Sequence, residues 1–188
     1  INTELRTKLT QAIVAADIFH VVITGGEPLL VKPDVFQVAK TLSANNIYVS
    51  LNSNLTLVDQ QTAEQLKDSG IRNILTSVIH YNSNIHDSVT GSKGSLEKTL
   101  KSAKLLEKLG ISVSANMVVR KNTVTDVYET GKFLINEGFR SFAATRVAPN
   151  YSAEYSSKSL IESADIVSIF DQLIALKDEY GIRVNSLN

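Results

Sequence analysis

Apolar residues recur at a helical spacing in some stretches of this chain and crowd into short β-rich runs in others, and the two patterns alternate from end to end. Residues 3–16 predict a helix with Leu5, Leu9, Ala12, Ile13 and Ala16 along one face. Residues 19–24, aromatic and β-branched, predict a buried strand. A helix over 33–44 follows, with Pro33 at its start, where a missing N–H does no harm. The pattern continues as strand 47–52, helix 59–69, strand 73–79, helix 95–109, strand 111–119, helix 125–137, strand 140–146, helix 160–180 and strand 182–186.

Five of these helices end in the same punctuation: Asn45-Asn46-Ile47, Gly70-Ile71-Arg72, Gly110-Ile111-Ser112, Gly138-Phe139-Arg140 and Gly181-Ile182-Arg183. Gly or Asn closes a helix in the left-handed conformation, and the apolar residue after it begins the next strand. The connections from strand to helix are longer and more polar, the longest over 80–94 and another over 147–159. Alternating units with strands apolar on both faces specify an α/β domain with a parallel sheet covered by helices. Pattern alone leaves open an open doubly wound sheet or an arc of a barrel. In both, function sits at the edge where strands end and the long loops begin. No linker or low-complexity tract divides residues 1–188, which read as one domain.

Composition narrows the partners. With 19 basic and 19 acidic residues cancelling and no basic block, nucleic acid and anionic membranes are not expected partners. No apolar run reaches the roughly 20 residues that span a bilayer, and no signal-peptide pattern opens the chain, so a cytoplasmic domain is expected. The sequence starts at Ile1, as a piece cut from a longer protein would. It contains no cysteine, which removes disulfides, thiolate metal sites and cysteine nucleophiles from these residues.

Candidate chemistry lies directly after the first strand, in Ile23-Thr24-Gly25-Gly26-Glu27-Pro28-Leu29-Leu30. Two glycines bring main-chain groups close to a ligand with no Cβ in the way. Glu27 adds a carboxylate suited to an ammonium group, and Pro28 holds Glu27 in an extended backbone. Such a loop suits capture of a free amino acid's amine; a tight turn with a solvated glutamate is the plainer reading. It is neither a G-x-G-x-x-G fingerprint nor a P-loop, because neither spacing is present.

The sequence around Gly25-Gly26-Glu27-Pro28-Leu29 resembles the second-strand motif of radical S-adenosylmethionine (SAM) enzymes, whose loop binds the amino group of the SAM methionine. Thr76-Ser77-Val78-Ile79, Ile85-His86-Asp87, Val89-Thr90-Gly91 and Gly94-Ser95-Leu96 are similar to the fourth-strand region of members with a C-terminal SPASM extension, many of which modify peptides. Val118-Val119-Arg120-Lys121-Asn122 is a third match, and the resemblance runs from about Val21 to Asn188. It implies a parallel-stranded partial (β/α) barrel whose first strand, with the Cys-x-x-x-Cys-x-x-Cys loop behind it, is missing here, and which stops before the SPASM cysteines. It further implies a parent enzyme in which a [4Fe–4S] cluster cleaves SAM reductively and the resulting radical takes a substrate hydrogen. The fragment itself would be inactive, and an exposed first-strand edge would favour self-association.

By the same resemblance Gly25, Gly26, Glu27 and Pro28 hold the SAM amine, with Asn52, Asn54, Ser77 and Asn116 around the remainder. Asn52, Ser53 and Asn54 equally suit a polar turn. Ser77 lies inside its strand, where a hydroxyl needs a partner: SAM by the resemblance, or a neighbouring carbonyl. Asn116 bonds SAM or substrate if it faces the barrel interior, and meets a helix if it faces outward. Arg146 and Pro149 end a strand, where Arg146 suits a substrate carboxylate or plain exposure. His80 and His86 read as ordinary polar loop residues rather than metal ligands. Tyr151, Ser152, Tyr155, Ser156, Ser157 and Ser159 read as an exposed loop. Lys98, Lys101, Lys104 and Lys108 form a solvated helix face opposite Leu100, Leu105, Leu106 and Leu109. A non-catalytic α/β binding or scaffold module is the competing class. A metal-independent enzyme with Glu27 as general base is weaker, because no partner acid, lysine or phosphate-binding loop accompanies it.

Overall fold

The structure, a computed structural model, describes residues 2–147 and 161–187. Its elements alternate as follows: α1 (Thr3–Ala15), β1 (His20–Ile23), α2 (Lys32–Ala44), β2 (Tyr48–Asn52), α3 (Gln60–Asp68), β3 (Ile71–Ser77), α4 (Ser83–Thr90), α5 (Ser95–Lys108), β4 (Ser112–Val119), α6 (Val127–Asn136), β5 (Ser141–Arg146), α7 (Ser163–Tyr180) and β6 (Arg183–Leu187). Short 3-10 turns, Pro28–Val31 and Lys121–Asp126, lead into α2 and α6. The strands form a six-stranded sheet in chain order. β1 with β2, β2 with β3, β4 with β5, and β5 with β6 pair in parallel. The alternating pattern therefore delivers the parallel sheet it predicts.

The helix closures explain the regularity. After α2, α5 and α6 the second residue beyond the helix (Asn46, Gly110, Gly138) donates its N–H to a carbonyl three back, and the next donates to one five back: Ile47 to Leu42, Ile111 to Leu106, Phe139 to Leu134. This Schellman arrangement needs a left-handed residue, supplied by Asn46 (φ 61°) and by Gly110 (φ 81°) and Gly138 (φ 99°). Ile47, Ile111 and Phe139 are all buried, so each closure also seeds core packing.

Packing divides the chain into two compact units, Ile1–Leu75 with Lys101–Ser112, and Thr76–Leu100 with Val113–Asn188. The first buries Leu42, Val49, Leu51, Leu55, Leu66, Ile71, Ile74 and Leu106. The second buries Val78, Met117, Val119, Val127, Leu134, Phe142, Leu173 and Leu176. Each fully buried aliphatic side chain contributes about 2 kcal/mol.

The structure corrects three expectations. Strand 19–24 is not buried: β1 stands at one end of the strand order, its residues are half-buried or exposed, and Phe19 beside it is 85% exposed. A terminal strand has a neighbour on one side only, so its apolar residues lack cover. Nor does α1 bury its apolar stripe. Leu5 and Leu9 are exposed, while Thr10 is its buried residue and Arg6 pairs with Asp34 of α2. Residues 80–94 are not a continuous loop but contain α4, started by the Asn82 side chain accepting the Asn84 and Ile85 N–H groups and closed by Gly91 (φ 68°). Its one buried residue is His86, so apolar spacing carries no trace of it.

Candidate functional site

In the first unit the loop leaving β1 is built around the Glu27 side chain. Oε1 accepts the Leu29 N–H at 2.9 Å, which starts the 3-10 turn in which Pro28 and Leu29 are buried. The same oxygen accepts the Ser53 hydroxyl at 2.8 Å, and Oε2 accepts the Asn54 N–H at 2.8 Å. The loop after β1 is thus tied to the loop after β2 by one carboxylate. A carboxylate has about four acceptor positions, so the arrangement leaves one, on Oε2.

The second loop is itself fixed. The Asn54 side chain accepts the Thr56 N–H and hydroxyl, an Asx turn. Lys32 of α2 donates to the Leu57 carbonyl and the Thr62 hydroxyl, each at 2.8 Å. Asp59 caps α3 through the Thr62 N–H, and the hydrogen bonds from Thr62 hold its carboxyl below the ordinary value despite some desolvation. Asn52 is half-buried at the end of β2.

Gly25 and Gly26 are exposed, and a Cβ on either would meet no protein atom within 4 Å. Packing within the described residues therefore does not demand glycine there. Bare backbone beside a carboxylate with one free acceptor position suits an ammonium group and fits the methionine end of SAM.

In the second unit Ser77 is the last residue of β3 and is exposed, not enclosed in its strand; the enclosed hydroxyl is that of Thr76, whose Oγ1 is buried without a hydrogen-bond partner. The strand ends two residues before the apolar run does, and Val78 and Ile79 beyond it are buried. Asn116 alternates with buried Ala115 and Met117 and so lies on the less covered face of β4. Its Nδ2 donates to the Thr145 hydroxyl at 3.1 Å, while Oδ1 is buried and has no partner. An orphaned acceptor of this kind costs free energy until a donor reaches it, which fits a ligand contact.

His80 and His86 are not ordinary loop residues: both are almost wholly buried. His80 Nδ1 accepts the Asn82 N–H at 2.9 Å, so its proton sits on Nε2, 3.3 Å from Asp126 Oδ2. His86 Nδ1 accepts the Ile79 N–H at 3.1 Å. Burial pushes the His86 pKa below its ordinary value, Asp87 works against that and His80 adds to it. Asp87 in turn gathers the Gly94 and Leu96 N–H groups and the Ser95 hydroxyl at the start of α5. Both histidines thus shape the strand-to-helix passage. No group of three or more metal-ligating side chains occurs among the described residues.

Arg146 is exposed at the end of β5, and the Lys98, Lys101, Lys104 and Lys108 face of α5 is exposed as expected. Pro149 and the Tyr151, Ser152, Tyr155, Ser156, Ser157 and Ser159 segment lie outside the described residues. By residue type Ser53 is, with Asn52 and Asn54, a polar residue closing its strand, but a serine in a polar turn carries no mark of the Glu27 partner that the preceding strand's loop brings to it.

Comparison with known proteins bears on this geometry. A family model described as "Radical SAM superfamily" matches residues 3–134. The chain is 25% identical over 165 residues to an AdoMet-dependent heme synthase of Methanosarcina barkeri, covering 88% of this chain and 46% of that protein. It is 27% identical over 165 residues to the antilisterial bacteriocin subtilosin biosynthesis protein AlbA of Bacillus subtilis, covering 82% of this chain and 37% of that one. Among solved structures, anSMEcpe with bound AdoMet and Cp18Cys peptide superposes with a TM-score of 0.81 at 20% identity, covering 99% of this chain and 55% of that one. That likeness gives the fold class, an α/β partial barrel of parallel strands. The chain spans less than half the length of either of these two relatives.

Proposed function

The chain belongs to the radical SAM superfamily, and from that premise we propose that residues 1–188 form a single partial core domain of a cytoplasmic enzyme that cleaves SAM reductively and takes a hydrogen atom from its substrate. The observation that carries this is the loop after β1, with bare backbone at Gly25 and Gly26 beside a Glu27 carboxylate held by three protein donors.

When bound at a [4Fe–4S] cluster, SAM supplies the hydrogen-abstracting chemistry; the protein supplies position. The backbone at Gly25 and Gly26 and the open position on Glu27 Oε2 take the ammonium group. Pro28 fixes the direction of the loop. Asn52, Asn54, Ser77 and Asn116 bond the rest of the molecule, Asn116 through its unpartnered Oδ1. The 188 residues contain no thiolate for the cluster, so they do not fit that group and no step through it falls to them. Its ligands belong to the rest of the parent protein, and the fragment alone is inactive.

A peptide is the proposed substrate. The support is the SPASM-like stretch from Thr76 to Leu96 and the peptide held by the solved relative. On its own the chain self-associates through β1, where Phe19 and Val22 are uncovered; light scattering that finds only monomer at high concentration removes this. No helix among the described residues is long and apolar enough to cross a membrane.

The test is anaerobic iron–sulfur reconstitution followed by a SAM-cleavage assay. The intact gene product is expected to release 5′-deoxyadenosine, and residues 1–188 alone are expected to release none. A silent intact protein would overturn the enzyme in favour of a non-catalytic module, and an active fragment would overturn its assigned inactivity.

A further inference from the structure

Ser53 is 6% exposed, and its hydroxyl stands at a junction of two hydrogen bonds. Its Oγ accepts the Leu55 N–H at 3.1 Å, which orients the hydroxyl, and its single proton goes to Glu27 Oε1 at 2.8 Å. Leu55 is left-handed (φ 63°) although it is not glycine, and its side chain is fully buried. A residue with a Cβ ordinarily avoids that conformation; here burial of the leucine side chain and the bond to Ser53 hold it in place. The consequence of the turn is that the Ser53 hydroxyl and the Asn54 N–H both point at Glu27. With Leu29 and Ser53 filling Oε1, the remaining acceptor position is on Oε2.

We propose that Ser53, set by the left-handed turn at Leu55, is a positioning residue that locks the Glu27 carboxylate so that Oε2 alone receives the ammonium group of SAM. This deepens, and rests on, the assignment of the Gly25–Pro28 loop to the SAM amine. Without the Ser53 hydroxyl, Oε1 gains an open position beside the one already on Oε2, while the Leu29 and Asn54 N–H groups keep one position on each oxygen. The ammonium group then has two places to settle and loses its single fixed partner. A hydrogen bond to a charged group is lost in the process, so about a tenfold weakening is expected.

The experiment is equilibrium binding to the intact gene product, with SAM and an analogue lacking its α-amino group as the two probes. Wild type is expected to prefer SAM. Ser53→Ala should weaken SAM about tenfold and leave the analogue unchanged, and Ser53→Thr, which restores the hydroxyl, should recover the preference. Equal weakening of both probes, or no weakening of either, overturns the inference, since a merely structural tie would act on the whole ligand. If wild type binds both probes equally, the amine assignment itself fails and takes this inference with it, an outcome separate from the previous two. Circular dichroism confirms that each variant is folded; if Ser53→Ala is not, Ser53→Cys keeps the size with a weak donor and should weaken SAM alone in the same direction.

Discussion

Glu27 Oε2 accepts the backbone N–H of Asn54 at 2.8 Å, across 27 positions of sequence. With the Leu29 and Ser53 bonds on the other oxygen, this makes one side chain the joint between two loops. Glu27→Gln places an NH2 group where a carboxylate oxygen faced a donor. It should therefore destabilise the chain by about 1–3 kcal/mol, read as a lower urea midpoint at unchanged slope. An unshifted midpoint would show that the joint carries no stability.

Gly131 of α6 lies against Leu176 of α7 and the Phe142 ring of β5. A Cβ there would collide with the Leu176 methyl and approach Phe142 to 3.1 Å. Leu176 and Phe142 are both fully buried, so neither has free space to retreat into. Gly131→Ala should cost about 1–3 kcal/mol through overpacking, even though alanine favours the helix. Thermal unfolding by circular dichroism decides, and a rise in melting temperature would mean that this packing yields freely.

Asp87 should contribute to acid sensitivity. Burial acts to raise its carboxyl, but the Gly94 and Leu96 N–H groups and the Ser95 hydroxyl outweigh it and hold the pKa below the ordinary 3.8. A carboxyl lowered in the folded state binds fewer protons there than when unfolded. Its stabilisation is therefore present above 3.8 and lost as pH falls toward the lowered value. Asp87→Asn should flatten the unfolding free energy against pH in that acidic window.

His86 acts in a different window. Its burial disfavours the imidazolium, so the folded pKa lies below the ordinary 6.5. The unfolded chain then binds more protons between the two values, and stability declines as pH drops below 6.5. Denaturant titrations from pH 8 to below 6 should show the decline in wild type and a smaller one in His86→Gln. Equal slopes would show that His86 is protonated in the fold as readily as outside it.

Much of this fold is readable because its signals are local. Gly110 and Gly138 close helices through their own backbone angles, and the apolar residue after each is placed in the core by chain direction alone. Gly25-Gly26-Glu27-Pro28 is recognisable for the same reason, since four adjacent residue types define it. The short helix α4 escapes such reading because its inward residue is His86, and its start and stop depend on Asn82 and Gly91 rather than on an apolar period. The apolar β1 reads as buried because composition reports a preference for cover, whereas its place at one end of the strand order decides whether cover exists.

The sequence by itself determined the parallel α/β architecture, the position of the Gly25–Pro28 loop and the lack of any thiolate for a cluster. Only the tertiary structure decided that Glu27 is shared with Ser53 and Asn54, that Ser77 is exposed, that Asn116 keeps one acceptor unpartnered and that His80 and His86 are buried. The physical reason is that backbone closure and loop composition depend on neighbours in the chain, while hydrogen-bond satisfaction and burial depend on which distant groups the sheet brings into contact.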